Sequence, residues 1–282
     1  GVRRVGEPGE IEEAVDSAVS YAQNGTVIYE EWIDGREYSI DALVYEGELQ
    51  ITGVADRHIY FAPHFVEMGH TLPAELTGGE YDELIRTFHA GVAALGIRNG
   101  AAKGDVFLRR SGEGAVGEIA ARLSGGYMSG WTYPYATGVP LTEAGLRLAI
   151  GEDPRPLLKP SANHTSAERA FISIPGVVAE VTGCDQAWDI PELKELFLRV
   201  APGERVAPPT NNVEKCGNII VCAESRKEAL SRAEEVLRRI SVRLQPANEE
   251  TDTYLFDSRA HSTWAAYPRL MSHQEDLHRF TK

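Results

Sequence analysis

The hydrophobic pattern at the start of the chain changes from a helical period to alternation. Apolar residues spaced three and four positions apart predict a helix over 11–22, which Asn24-Gly25 ends. Alternating or continuously apolar runs then predict three strands joined by short connections, at 26–33, 37–45 and 49–55. Successive strands with short connections are typical of an antiparallel meander. A loop rich in His, Pro and aromatic residues is expected at 57–73.

The next elements are predicted by the same two periods. In order, they are a helix, two strands joined by a Gly-rich turn, and a second helix, at 84–95, 103–109, 116–123 and 142–150. A Gly-, Ser- and Tyr-rich segment, 124–138, separates the second strand from the second helix. The Pro-rich stretch 153–160 reads as a linker because its composition differs from both sides.

Beyond that linker the pattern is again mixed. It predicts a strand region with a Pro-Gly turn, a short helix, a strand and a long helix, at 170–181, 193–200, 218–222 and 229–240. The elements together predict an α+β fold, in which an antiparallel sheet has helices packed on one side and a smaller strand-rich C-terminal subdomain follows. The predicted division is 1–152, 161–250 and a tail at 251–282.

Composition and charge exclude several classes of function. The formal charge of −14, from 28 basic and 42 acidic residues, argues against a nucleic-acid partner, because the phosphate backbone would be repelled. No stretch approaches the roughly 20 apolar residues that a membrane-spanning helix requires. The three cysteines have no CxxC spacing, so neither a disulfide framework nor a zinc site is expected. A reduced, cytoplasmic protein is the expectation.

Two carboxylates are expected on the adjacent strands at 103–109 and 116–123. Neighbouring antiparallel strands place side chains next to each other, and Asp105 and Glu118 would then form an acidic pair. Mg²⁺ in proteins is held by one or two carboxylates together with substrate phosphates. The alternative is that both side chains are ordinary surface residues facing water. The pair taken alone favours that alternative.

The neighbours of this pair favour a metal–phosphate site. Arg122 follows Glu118 by four residues, so both side chains share a strand face, and a guanidinium binds phosphate oxygens bidentately. Ser124-Gly125-Gly126 comes next, and glycine allows backbone N–H groups to approach an anion closely. Lys103 shares a strand face with Asp105, where a plain salt bridge and a phosphate contact are both compatible with the sequence.

A second group of residues lies at 30–37. A carboxylate at a strand end can accept a hydrogen bond from an adenine amino group, and a backbone hinge can pair with the ring edge between apolar residues. The alternative reading is an ordinary strand–turn–strand with a turn at Asp34-Gly35. The histidines at 58, 64 and 70, with Glu67, match no metal-ligand spacing. We expect the loop 57–70 instead to line the pocket of an acceptor substrate, with Arg57 near the phosphates of the predicted metal–phosphate site.

These motifs, in this order, resemble those of ATP-grasp ligases. The resemblance rests on Glu30-Glu31-Trp32-Ile33 with Glu37, on Gly100 to Asp105, and on Glu118 to Gly126, and it extends from about residue 2 to residue 150. The segment from 170 through Asn218-Ile219-Ile220-Val221 and its helix resembles, less specifically, the C-terminal subdomain of the L-amino-acid-ligase-like members.

The resemblance implies a role for each matching position on the nucleotide. Glu30 would meet the adenine amino group, and the backbone of Glu31, Trp32 and Ile33 would form the hinge. Glu37 would hold the ribose. ATP is thus the implied cofactor, with Mg²⁺, or Mn²⁺ as the alternative, bound by Asp105 and Glu118. Arg122 would stabilise the transferring phosphoryl group, and Lys103 and Arg57 would lie beside the phosphates.

The sequence also departs from the family pattern. Asp105 stands where a glutamate is usual, and Ala120 stands where the family has an asparagine as a further metal ligand, so weaker metal binding is expected. Gly1 to Val5 resembles the end of a mobile Gly-rich loop, while the lysine strand and preceding domain of the family have no counterpart here. We therefore expect a truncated chain that is inactive alone and works with the missing N-terminal segment of the same enzyme.

The implied activity is the ATP-dependent ligation of a small-molecule carboxylate to an amine, or to a thiol, through an acyl phosphate. One alternative is a non-catalytic nucleotide-binding or structural remnant, which Ala120 favours. Another is a different phosphoryl transfer on the same fold, such as a kinase or phosphate-dikinase reaction. The sequence identifies neither substrate, and it leaves open whether the protein is a homodimer.

Overall fold

An eight-stranded sheet dominates the computed structural model, which describes residues 2–256. Its strands lie in the order β5-β4-β1-β2-β3-β6-β10-β8, and every neighbouring pair is antiparallel. Its strands are β1 (Gly35–Tyr45), β2 (Glu48–Tyr60), β3 (Val66–Leu72), β4 (Gly100–Arg109), β5 (Gly114–Ala120), β6 (Thr165–Phe171), β8 (Leu193–Leu198) and β10 (Gly217–Ala223). The predicted α+β class with a large antiparallel sheet is confirmed.

The part of the chain that the structure describes also contains three further strands, seven α-helices and three short 3₁₀ or π turns (Pro8–Glu10, Met128–Thr132 and Arg155–Leu157). The strands β7 (Gly176–Thr182), β9 (Arg205–Val206) and β11 (Ser241–Leu244) form a small sheet with β7 in the centre. The helices are α1 (Ile11–Tyr21), α2 (Gly78–Ala94), α3 (Tyr133–Thr137), α4 (Leu141–Ala149), α5 (Cys184–Ala187), α6 (Arg226–Arg239) and α7 (Glu249–Phe256). No helix within residues 2–256 is long and apolar enough to cross a membrane.

The two long helices pack on the same face of the large sheet. Leu84, Phe88 and Val92 of α2 lie against the apolar positions of β1 and β4, and all three are buried. The α6 helix buries small and branched residues against β6 and β10 in the same way. The burial of a side chain such as Phe88 contributes roughly 1.5–3 kcal/mol to the stability of the folded state. The contacts with α2 and α6 therefore stabilise the sheet.

The opposite face is divided between an apolar end and a charged end. Near the β1–β2 turn, Leu43, Ala55 and Leu72 pack under the short helices α3 and α4, through residues such as Tyr133 and Leu141. The sequence prediction had placed helices on one side only, so these short helices are an addition to it. Toward the start of β1 no helix of residues 2–256 packs on the same face, and its side chains are charged.

The large sheet continues across the predicted linker. β3 pairs with β6, with Gly69 opposite Arg169 and His70 opposite Glu168. A Cβ on Gly69 would lie 2.2 Å from the Glu168 carbonyl oxygen, and Gly69 has a φ of 152°. Glycine is therefore required where the segments before and after 153–160 join edge to edge.

The first strand predicted from the sequence is absent. Residues 26–33 form no regular structure, and Ile28 and Tyr29 are exposed. Both edges of β1 are already occupied, by β2 and β4, so this apolar run has no partner strand within the described residues. The meander that does form consists of β1, β2 and β3.

Two other predicted elements differ in the structure. The expected loop at 57–73 contains the end of β2 and the whole of β3, because its charged and His residues pair with side chains of neighbouring strands. The expected helix at 193–200 is strand β8, which hydrogen-bonds to the free edge of β10. The predicted tail beyond 251 begins with α7, and residues 257–282 lie outside the described residues.

Candidate functional site

A row of charged side chains crosses the sheet on the face opposite α2 and α6. Alternation in the strands puts Glu37 of β1, Arg57 of β2 and Asp105 of β4 on this face, because their neighbours Tyr38 and Val106 point into the core beneath α2. The row continues through β3, β6 and β10 by Glu67, His70, Glu168 and Asn218. Residues from both halves of the chain therefore form one polar surface.

Arg57 is the centre of the row. Its Nη1 lies 2.9 Å from Asp105 Oδ1 and also pairs with Glu37, and its Nη2 donates to Glu67 Oε2 at 2.6 Å. Burial alone would lower the pKa of Arg57, but Asp105, Glu37 and Glu67 outweigh it and raise the pKa. Burial raises the pKa of Glu37, which Arg57 only partly offsets. The guanidinium thus holds three carboxylates together.

His70 joins the two halves of the row. Its Nε2 lies 3.4 Å from Glu67 Oε2 and its Nδ1 lies 3.1 Å from Glu168 Oε2, while Asn218 Nδ2 donates to the other oxygen of Glu168. Burial would lower the pKa of His70, but the two carboxylates outweigh it and raise it to about 9. Both ring nitrogens of the resulting imidazolium can then donate at neutral pH.

Asp105 and Glu118 lie directly opposite each other on β4 and β5. Asp105 is nearly buried and pairs with Arg57 and with the Lys103 ammonium, whereas 59% of the Glu118 side chain is exposed. The structure therefore brings the two predicted metal ligands to adjacent positions but gives them different surroundings. Position 120, opposite Lys103, carries only a methyl group.

These two carboxylates fit a metal held together with phosphate oxygens better than a metal held by protein alone. Within residues 2–256, no three His, Cys, Asp or Glu side chains are grouped so that they could hold an ion. Mg²⁺ normally takes one or two carboxylates and completes its octahedron with water and phosphate. The three histidines at 58, 64 and 70 do not gather either, since His58 bonds to Thr71 on the helix-covered face.

Arg122 and the glycine turn after it stand beside Glu118. Arg122 Nη2 is 3.9 Å from Glu118 Oε1, and its guanidinium is more than half exposed. The turn is held by Asp41, a buried residue of β1, whose Oδ1 accepts the Ser124 N–H at 3.2 Å. Burial raises the pKa of Asp41 to about 6 despite the bonds from Ser124. The turn therefore depends on a residue that sequence analysis did not select.

A cavity of about 360 Å³ opens over this turn. Tyr127 and Trp131 line one wall, and Arg199, just beyond β8, lines another. Tyr127 is stacked on Phe197 of β8, with ring centroids 4.0 Å apart and an interplanar angle of 12°. Aromatic residues of the Gly-, Ser- and Tyr-rich segment 124–138 thus join the glycine turn to the C-terminal part of the sheet.

The predicted nucleotide hinge lies on the surface at the start of β1. Trp32 contacts Phe65 with ring centroids 5.4 Å apart, and the Arg4 guanidinium lies 4.5 Å from the Trp32 ring. Glu31 pairs with Arg109 at 3.0 Å, while Glu30 is exposed. Phe65 is two residues before Glu67 in the chain. Its contact with Trp32 therefore places the hinge beside the charged end of the sheet.

Sequence analysis missed several members of this surface. Asp41 could have been recognised, because it interrupts the apolar run of 38–45. Alternation places its side chain on the same face of the sheet as that of Ser39. Glu168 lies just before the predicted start of its strand. Asn218 carries only the signal of a strand residue, and Arg199 falls within the predicted helix at 193–200. None of the last three has a local pattern that points to the site.

Models of two protein families match the chain. The ATP-grasp domain matches residues 7–130, and the L-amino acid ligase C-terminal domain 2 matches residues 170–245. These ranges fall on the two sides of the stretch at 153–160.

Curated relatives agree with these matches at low identity. An uncharacterized protein of Sinorhizobium fredii is 24% identical over 256 residues, 89% of this chain and 52% of its own length. The L-arginine-specific L-amino acid ligase of Bacillus subtilis is 21% identical over 73% of this chain and 49% of its own length. Carnosine synthase 1 of Gallus gallus is 30% identical over 44% of this chain and 13% of its own length. The chain therefore spans about half the length of the two relatives that match most of it.

A solved structure has the same fold. The L-amino acid ligase from Bacillus licheniformis superposes with a TM-score of 0.77 at 23% identity, covering 87% of this chain and 61% of that protein. At this identity the likeness establishes the arrangement of strands and helices.

Proposed function

Because the chain belongs to the ATP-grasp ligase family, we propose that it takes part in the ATP- and Mg²⁺-dependent joining of a small-molecule carboxylate to an amine. One observation carries this proposal. Asp105 and Glu118 stand opposite each other on the open charged face, with Arg57, Lys103 and Arg122 beside them. Acidic and basic groups in this combination are what a metal-bound phosphate chain requires.

The nucleotide is proposed to lie across the start of β1. Glu30 accepts from the adenine amino group, and the backbone of 31–33 pairs with the ring edge, while Trp32 and Ile33 shield it. Glu37 holds the ribose hydroxyls. The contact between Trp32 and Phe65 supports this arrangement, because it keeps the hinge beside the end of the charged row.

The phosphates are proposed to lie over β4 and β5. Mg²⁺ with ATP supplies the phosphoryl group that activates the carboxylate as an acyl phosphate. Asp105 and Glu118 hold the ion through oxygen, and Arg122 and Lys103 bind the phosphate oxygens, so that charge developing during transfer meets fixed cations. The exposure of Arg122 supports this role, since more than half of its side chain faces solvent, although its guanidinium also donates to the Leu123 carbonyl at 3.1 Å.

The rest of the row is proposed to line the substrate pocket. Glu67 is partly buried and Glu168 is buried, and Arg57, His70 and Asn218 hold their carboxylates in place, so the two would form a rigid acidic wall beside the proposed phosphate site. A rigid wall positions the amine without a loss of side-chain entropy on binding. The amine would then attack the carbonyl carbon of the acyl phosphate, so that a C–N bond forms, the C–O bond to phosphate breaks, and inorganic phosphate and the proton of the amine are released.

A second candidate is a non-catalytic nucleotide-binding module of the same fold. Ala120 favours it, because a methyl group stands where the family has a third metal ligand. The exposure of Glu118 agrees with a loosely held ion.

Trapping the activated carboxylate distinguishes these functions. The chain is incubated with MgATP, a panel of carboxylic acids, and hydroxylamine in place of the amine, and hydroxamate and ADP are measured. A ligase forms hydroxamate and ADP in equal amounts with particular acids, and Arg122→Gln abolishes both while Arg147→Gln, on the outer face of α4, does not. A nucleotide-binding module binds MgATP and forms no hydroxamate with any acid. A kinase transfers phosphate to a stable acceptor instead.

A further inference from the structure

Asp41 is a buried carboxylate that has no part in the ligation proposed above. It has no exposed surface and lies on β1 directly opposite Lys103 of β4, where the β1–β2 register shifts. Its Oδ1 accepts the Ser124 N–H at 3.2 Å, whereas its Oδ2 has no hydrogen-bond donor within residues 2–256. Burial raises the pKa of Asp41 to about 6, which Ser124 and Lys103 oppose, so the carboxylate is mostly ionised at neutral pH. A buried anionic oxygen without a donor is unfavourable.

Lys103 is a cation that can reach this oxygen. Side chains opposite each other on antiparallel strands have Cβ atoms about 5 Å apart, and the charge of Lys103 acts to lower the pKa of Asp41. The ammonium nevertheless bonds to Asp105, two residues along the same face of β4. Asp105 is also paired with Arg57. One carboxylate therefore has two cationic partners, while Asp41 has no ion pair within the described residues.

A metal ion at Asp105 would change this balance. In the proposed complex the ion, Arg57 and Lys103 would all face one carboxylate, and like charges at such short range repel one another. Glu37, another carboxylate whose pKa the charge of Lys103 acts to lower, is already paired with Arg57. Asp41 Oδ2 is an anionic acceptor that is still free in the part of the chain that the structure describes. An ammonium has three N–H donors, so one bond to Asp41 leaves two for phosphate oxygens.

We propose that Asp41 is a positioning residue for Lys103. When a metal ion binds to Asp105, the Lys103 ammonium turns from Asp105 to Asp41 Oδ2 and donates its other N–H groups to the phosphates. The inference rests on the proposed metal–phosphate site and adds to it an exchange of ion pairs within the protein. Lys103 and Asp41 are then paired with each other, so neither buried charge is left alone in the complex.

Urea denaturation without metal or nucleotide tests this exchange of partners. Asp105→Asn removes the carboxylate charge that holds Lys103, as neutralisation by a metal would. Asp41→Asn keeps an acceptor for the Ser124 N–H but removes the charge, and it is measured in the unmodified 282-residue chain and in Asp105→Asn. We expect Asp41→Asn to raise the equilibrium constant for unfolding about tenfold more in Asp105→Asn, because Lys103 then depends on Asp41. When Lys103→Met is also present, this difference should disappear. An equal effect of Asp41→Asn in both chains would overturn the proposal.

Lys103→Met gives a second test if circular dichroism shows that Asp41→Asn does not fold. In the Asp105→Asn chain, Lys103→Met should lower the urea midpoint if the ammonium has moved to Asp41. It should raise the midpoint if the ammonium is left without a partner, because a buried unpaired charge is unfavourable. A raised midpoint would therefore overturn the proposal.

Calorimetry with MgATP measures the same coupling in the nucleotide complex. Asp41→Asn should weaken binding about tenfold, the effect typical of one charge-assisted hydrogen bond, and it should have no further effect once Lys103→Met is present. The matched control is Asp153→Asn, an exposed carboxylate paired with Arg155, which should not change the affinity. An unchanged affinity in Asp41→Asn would overturn the proposal. The absence of MgATP binding by the unmodified chain would contradict the proposed ligase function alone, since the metal-free comparison still decides the exchange.

Discussion

Arg57 Nη1 lies 2.9 Å from Asp105 Oδ1, although strand β1 separates the strands that carry these two residues. The Arg57 guanidinium reaches across β1 and also pairs with Glu37, which lies on β1 itself. Asp105, the carboxylate proposed as a metal ligand, is thus already paired with a cation. In the proposed complex a metal ion would take over part of this pairing, which would avoid leaving a buried charge unpaired.

Replacing Arg57 should destabilise the fold more than any other change in the row. Arg57→Gln leaves Glu37, Glu67 and Asp105 without their shared cation, and the expected loss is about 3–5 kcal/mol of unfolding free energy. Urea denaturation at pH 7 measures it. Arg57→Lys keeps the positive charge but lacks the planar guanidinium with its several N–H donors. Its loss of unfolding free energy should therefore be clearly smaller. A loss below about 1 kcal/mol for Arg57→Gln would show that the carboxylates do not depend on it.

The stability of the protein should fall with rising pH because of His70. Its pKa is about 9 in the folded protein, against 6.5 for an unperturbed histidine. The folded state therefore binds the proton more tightly, and this stabilisation is fully present below pH 6.5 and is lost as pH rises through 9. Urea denaturation at intervals from pH 6 to 9.5 measures the decline. In His70→Gln the decline over this window should be much smaller, and an equal decline would contradict the assignment.

Gly69 should tolerate no side chain. Gly69→Ala places a methyl group against the Glu168 carbonyl and forces L-residue backbone into a φ of 152°, so we expect a loss of about 3 kcal/mol or more. The matched control is Gly79→Ala in α2, where nothing lies within 4 Å of the added Cβ and helix propensity improves. Thermal and urea unfolding compare the two. Equal unfolding free energies of the two variants would contradict this expectation, because β3 and β6 would then be able to move apart at Gly69 without a loss of stability.

The sequence predicted most of the sheet and the long helices because their residues have a clear local period. The apolar positions of β1, β4 and α2 follow one period along most of each element, so their positions agree closely with expectation. The run at 26–33 has the composition of a strand, but a strand also needs a free edge, and β1 offers none. The sequence of β3 predicts a loop because the segment 57–73 is rich in His, Pro and aromatic residues.

The site was predictable only where its residues are close in sequence. Asp105, Glu118 and Arg122 could be brought together by strand pairing alone. The pairing of His70 with Glu168 could not, because Glu168 is 98 residues from His70 and is brought there by β3–β6 pairing between the two halves of the chain. Buried charges that pair over such long separations along the chain leave no periodic pattern in the sequence.

Isothermal titration calorimetry of ATP into the 282-residue chain tests the central claim most directly. With Mg²⁺ present we expect saturable binding, which is lost in EDTA, strongly weakened in Asp105→Asn and Arg122→Gln, and unchanged in Arg147→Gln. Binding that is equally strong without Mg²⁺, or unaffected by Asp105→Asn and Arg122→Gln, would contradict a metal–nucleotide site on this face. The absence of any ATP binding in the presence of Mg²⁺ would contradict it as well.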